Sequence, residues 1–165
     1  MHFCTEVQNH RCIYLAMYFF GLILIYYHLF LPRMLIVAMG TDDRKSLTEE
    51  HFGDSKYFAI YKVDNNGWEL LEYRENRSPE ERIHGDPRKA SSIVEQLKGV
   101  DILLAHAMGP NFVRMRDNSP FLPIISRQRD IERALSLLKE RYDYVSSVIE
   151  AKRNGKWDRQ PIILK

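Results

Sequence analysis

The chain has 165 residues, with 24 Lys and Arg against 22 Asp and Glu for a formal charge of +2 at pH 7, and 45% of it is hydrophobic. That length allows one domain with an appendage, the balanced charge speaks against a protein that coats nucleic acid, and the composition is that of a folded chain, not a disordered one. Its two cysteines, Cys4 and Cys12, exclude a disulfide framework and a four-cysteine zinc site.

Residues 13–31 read IYLAMYFFGLILIYYHLFL, an uncharged run containing His28 and long enough to span a bilayer as a helix. Residues 1–33 are accordingly taken as a hydrophobic N-terminal extension. A transmembrane anchor, a secretory signal and upstream sequence translated from a wrong start codon all compete here. The run lacks a small-residue cleavage site, which argues against a signal. The apolar segment Leu35-Ile36-Val37-Ala38 follows so soon that almost no chain is left to cross the headgroups. The expectation is a start-site artefact with Met34 opening the domain; only a real anchor would bring the chain to a membrane.

From Met34 onward, short apolar runs alternate with charged loops. Met34 to Met39 is a buried-strand pattern closed by Gly40,. Thr41 to Lys56 is a polar loop with room for a helical turn. Tyr57 to Val63 and Trp68 to Tyr73 read as strands joined by the Asn65-Asn66-Gly67 turn,. Asn76 to Lys89, with Pro79, Gly85 and Pro87, reads as an exposed loop. A short helix is expected over Ala90 to Lys98, ended by Gly99 in a left-handed cap. Asp101 to Met108 is a further strand closed by Gly109, and Asn111 to Asp117 a short helix. Phe121 to Ile125 is the last strand, after which Asp130 can cap one long final helix. The expected architecture is α/β: a mixed five-stranded sheet with early antiparallel strands, late βαβ units and flanking helices.

Catalytic signatures are missing: there is no P-loop, no dinucleotide fingerprint and no nucleophile elbow. The first strand carries no carboxylate for a paired-metal nuclease site. Two short echoes remain. Ala38-Met39-Gly40 and Ala107-Met108-Gly109 both close a buried strand. If those strands are parallel neighbours, Met39, Gly40, Met108 and Gly109 meet at the carboxyl edge of the sheet, where open α/β sheets bind ligands; core filling by methionine is the plainer alternative. In the loop Glu49-Glu50-His51-Phe52-Gly53-Asp54, an aromatic that can be buried and a glycine that permits tight backbone geometry can present an imidazole outward, a merely solvated loop histidine being the plainer alternative. His84-Gly85 has the same form. His106, within an apolar strand, reads as a hydrogen-bonded core residue or else faces that same edge.

Gly40 followed by His51-Phe52-Gly53 and Tyr57-Phe58-Ala59-Ile60-Tyr61 resembles the dinitrogenase iron–molybdenum cofactor biosynthesis family. Leu97-Lys98-Gly99-Val100-Asp101-Ile102-Leu103-Leu104 with Gly109-Pro110 is similar to its helix–strand–glycine segment, and Asp130-Ile131-Glu132-Arg133-Ala134-Leu135 to its closing helix. The similarity makes 34–140 a nitrogenase-accessory-factor-like α/β domain and 141–165 a C-terminal helical extension and tail. It implies a ribonuclease-H-like fold without nuclease chemistry. It also implies a non-enzymatic, cytoplasmic carrier or assembly accessory for an iron–sulfur or iron–molybdenum-type cluster or its precursor, exchanging with cluster donor and acceptor proteins. By the same resemblance, His51 is the leading metal ligand and His84 a second contact, with Phe52 and Gly53 completing the binding element.

A limit follows from the residues themselves. The domain holds no cysteine after Cys12, so it cannot build a four-thiolate cluster site. It can hold a preassembled cluster through imidazole nitrogens, helped by the thioethers of Met39 or Met108 and by cations such as Arg44, Lys45 and Arg88. The alternative function is a regulatory or interaction domain that binds a protein partner or small anion at the sheet edge. Ile131, Leu135, Leu138, Tyr142, Val145 and Ile149 form a heptad stripe,. If its second half protrudes, it makes a homodimer or partner surface; otherwise that half folds back, with Pro161-Ile162-Ile163-Leu164 as an added edge segment.

Overall fold

Leu35–Thr41 (β1) is apolar up to its final Thr41 because it runs through the middle of a sheet covered on both faces,. The computed structural model describes residues 34–83 and 85–165; the extension 1–33, with its apolar run at 13–31, and His84 lie outside the described residues. β1 pairs antiparallel with Tyr57–Val63 (β2), and β2 antiparallel with Trp68–Glu75 (β3). On its other side β1 pairs parallel with Ile102–Ala105 (β4), which pairs parallel with Leu122–Ser126 (β5). Ile162–Leu164 (β6) adds to β5, also in parallel, giving the order β3-β2-β1-β4-β5-β6. The helices are Pro87–Gln96 (α1), Pro110–Asn118 (α2), Ile131–Glu140 (α3) and Tyr142–Arg153 (α4).

Alternation along the strands divides the apolar residues between two cores. Leu35, Val37 and Met39 of β1 join Leu104, Ile124 and the buried faces of α3 and α4. Ala38, Phe58, Ile60 and Leu103 join Ile93 of α1 and Phe112 and Met115 of α2 on the opposite face. The expected caps form: the Asp130 carboxylate accepts from Arg133 N at 2.8 Å, and Gly99 takes the left-handed conformation at φ 87°,.

Three expectations need correction. The sheet has six strands, not five, because 162–164 continues it beyond β5. This is the fold-back alternative: the second half of the stripe returns to the sheet and 162–164 is the added edge segment, with Tyr142, Val145, Ile149, Ile162 and Leu164 all buried among β-sheet residues. The loop 76–89 is not exposed throughout. Asp86 is 3% exposed and caps α1 with Pro87 in its first turn, so the helix starts ahead of Ala90,. Finally, the long last helix breaks at Arg141 (φ −112°, ψ 17°), which ends α3 and begins α4. A straight helix over 131–153 would run about 34 Å, whereas strands of five to seven residues span about 17–23 Å. The break keeps the second half on the sheet. All six stripe residues are consequently in the protomer's own core, at 6% exposure or less, and the stripe offers no surface for a homodimer.

Candidate functional site

β1 and β4 are parallel neighbours, with Ala38 opposite Leu103 and Met39 opposite Leu104. Their carboxyl ends therefore open side by side. From β1 the chain enters the loop 42–56, which many bonds hold in place. Asp42 accepts from Thr48 Oγ1 (2.7 Å) and from Lys56 N (2.8 Å), tying the middle of the loop to its end. Leu47 N donates to Arg129 O at 2.7 Å and Thr48 N to Gly40 O at 2.9 Å. Asn76 Nδ2 donates to the carbonyls of Gly53 (2.9 Å) and Ser55 (2.8 Å). The Asp43 carboxyl is pulled down to about 2 by backbone N–H donors, Ser46 first and Lys45 next,.

Within this loop Phe52–Gly53–Asp54 make one 3₁₀ turn, with His51 at its cap position in extended conformation. Phe52 is 1% exposed and acts as the anchor, stacked on Phe58 with centroids 5.1 Å apart and meeting Phe112 edge-on,. Gly53 lies so close to α1 that a Cβ would stand 2.8 Å from Ile93 Cδ1. Asp54 pairs with the buried Lys89 of α1. The imidazole of His51 stays exposed.

The decisive contact is between loops. A Cβ at Gly109 would lie 2.6 Å from both Cγ and Nδ1 of His51, well inside carbon contact distance. The His51 ring is thus seated on the bare backbone that follows β4, at the start of α2. Beside it, Met108 exposes 38% of its surface. His106, half-buried and just past the end of β4, places Nδ1 3.0 Å from Ser126 O at the end of β5. The strand ends at Ala105 and not at Met108, which takes His106 out of the ladder and puts it at the edge.

Other expected contributors are elsewhere. Met39 is fully buried, and Gly40 packs under the loop, where a Cβ would meet Ser55 Oγ at 2.9 Å. Neither faces the edge, because β1 pairs with β2 as far as Thr41 and the loop closes over it. Phe52 and Gly53 support His51 from below. Arg44 stacks over Tyr57 and Tyr73, and Arg88 is paired with Asp86, whose carboxyl it holds far below the usual range. A basic cavity of about 540 Å³, lined by Arg116, Lys152, Arg159 and Trp157, lies at the opposite, amino edge of β5 and β6. Among the described residues no three His, Cys, Asp or Glu are grouped to hold a metal ion, and no helix is long and apolar enough to cross a membrane.

Residues 33–141, which contain this edge, match the family described as dinitrogenase iron-molybdenum cofactor. The chain belongs to that family. Its curated relative, "Protein NifX" of Sinorhizobium fredii, is 32% identical over 80 residues, covering 46% of this chain and 49% of the relative. The chain therefore spans about half the length of the curated relative it matches. An NMR structure of "a putative dinitrogenase" from Methanococcus jannaschii aligns with a TM-score of 0.43 and 20% identity over 64% of this chain and 87% of that one. The family region ends at the first turn of sequence after α3, so α4 and β6 lie beyond it.

Proposed function

We propose that this protein carries an iron–sulfur or iron–molybdenum-type metallocluster, or its precursor, as a non-enzymatic accessory of cofactor biosynthesis, with His51 as a ligand. The observation that carries the reading is the exposed His51 imidazole, held by a well-tied loop and seated on Gly109 at the carboxyl edge of the parallel strands. A neutral imidazole suits iron, and a cargo that brings its own sulfides needs no cysteine from the protein. Few protein ligands make release to an acceptor easy, as a carrier requires. The open edge leaves such a cargo accessible to donor and acceptor proteins. The order β3-β2-β1-β4-β5, antiparallel and then parallel, supports a ribonuclease-H-like core to which β6 is an addition.

The test is anaerobic loading of the full chain from a cluster-bearing donor, followed by repurification. Retained iron and sulfide-to-iron absorption in the wild type, lost in His51→Ala, are expected. Iron-free, colourless protein in both would refute the reading.

A further inference from the structure

The geometry points to His106 as a second ligand for the same cargo, through Nε2; this rests on the carrier reading above. The first argument is its hydrogen bond. Ser126 O is a backbone carbonyl and can only accept, so the 3.0 Å contact requires the proton on Nδ1 of His106,. In the neutral ring Nε2 then carries the lone pair. An imidazole whose other nitrogen donates to a carbonyl is the arrangement that orients histidine for a metal.

The second argument is rigidity. The carbonyl that selects this tautomer belongs to the last residue of β5, which is held from two directions. Ser126 faces Leu164 of β6, and Arg127 N donates to Leu164 O at 2.9 Å. Ser126 Oγ donates to Gln128 O (2.8 Å) and accepts from Gln128 N (3.1 Å). The strand β6, which lies beyond residues 33–141, therefore helps to fix the acceptor that sets the His106 ring.

The third argument is placement. His106 and Gly109 belong to one short turn, so their Cα atoms are at most about 11 Å apart. The His51 ring lies against Gly109, and Met108, 38% exposed, lies between His106 and Gly109 in the chain. No third carboxylate, histidine or thiolate joins them in a group able to hold a single ion among the described residues. Two imidazoles at one edge suit a polynuclear cargo that is already charge-balanced by its own sulfides. One imidazole would tether such a cluster, whereas two also fix its orientation towards the protein that receives it.

The experiment uses the full chain and a thiolate-ligated [4Fe–4S] cluster as probe, with His51→Ala, His106→Ala and His106→Asn. The asparagine amide nitrogen takes the place of Nδ1 and can still donate to Ser126 O, with nothing at the Nε2 position, so that variant separates ligation from folding,; circular dichroism verifies that each variant is folded. Long-range ¹⁵N spectra of the unloaded wild type are expected to show His106 protonated on Nδ1, with a bare Nε2 that shifts on loading. Both His106 variants are expected to bind the cluster at least about tenfold more weakly, about 1.4 kcal/mol. Pulsed EPR of the reduced, loaded protein is expected to lose one of two nitrogen couplings in either His106 variant. Loss of iron in His51→Ala with wild-type retention and both couplings in His106→Asn would overturn the second ligand and leave the carrier standing. A wild type that takes up no cluster would overturn both.

Discussion

Gly109→Ala tests the seat of the His51 ring with little else disturbed. Gly109 has φ −93° and ψ 176°, a conformation open to any residue, so alanine brings no backbone strain,. Its Cβ would sit 2.6 Å from His51 Cγ and Nδ1 and 2.9 Å from Cε1. Ordinary carbon contacts lie at about 3.5–4.0 Å, so the ring must retreat by roughly 1 Å or change rotamer. His51 is exposed and can move outward, and the cost to stability is expected at the low end of overpacking, about 1 kcal/mol, or a few degrees in Tm. The effect on function is expected to be far larger, because a ligand displaced by an ångström no longer meets a rigidly held cargo. Thermal unfolding and iron retention after anaerobic loading are measured on the same sample. Wild-type retention in folded Gly109→Ala would refute the claim that the glycine positions the imidazole. A loss above about 3 kcal/mol would show instead that more than one side chain had to move.

Val145→Asp buries a carboxylate with no partner where Val145 is 0% exposed and is expected to cost more than about 3 kcal/mol; circular dichroism should show an unfolded chain, whereas a folded protein of half the native mass would restore the stripe as a dimer surface. Asp54→Asn leaves the Lys89 ammonium, 8% exposed, against a neutral amide. Allowing for the solvent reaching Asp54, urea denaturation should show a loss of about 1–3 kcal/mol, and an unchanged midpoint would refute the tie between α1 and the His51 loop. Acid should destabilise the fold through Asp43 and Asp86, whose carboxyls lie below their unfolded values because of backbone donors in one case and Arg88 in the other. Their stabilisation is complete above the unfolded value of about 3.9 and is lost as pH falls through the folded values, about 2 for Asp43,. Urea midpoints between pH 2 and 6 should drop towards the acid end, and Asp43→Asn should flatten that slope.

Most of the elements were legible because their signals are local. The Asn65-Asn66-Gly67 turn joins β2 and β3 as expected, and β2 runs over Tyr57–Val63 as its aromatic and β-branched residues predict,. The loop histidine was legible for a similar reason: His51 stands between charged residues and the anchor Phe52, so its exposure follows from its neighbours in sequence. Met39 misled because alternation alone does not say how far a loop folds back over a strand end. His106 was ambiguous because its role depends on the register of β4 against β5, which puts Ala105 opposite Ile125 and brings Ser126 within reach of the ring.

The sequence by itself determined the α/β class, the absence of a thiolate cluster site after Cys12, the resemblance carried by His51-Phe52-Gly53, and the apolar face of the last helices. Each depends on composition or on spacings of a few residues. Tertiary structure decided that the helix breaks at Arg141, that 162–164 takes the edge position which was one of two alternatives in the sequence, and that Gly109 is the seat of His51. These depend on segments far apart in the chain competing for one sheet. Helical spacing marks an apolar face without saying which surface will cover it, and a glycine marks close approach without naming what approaches.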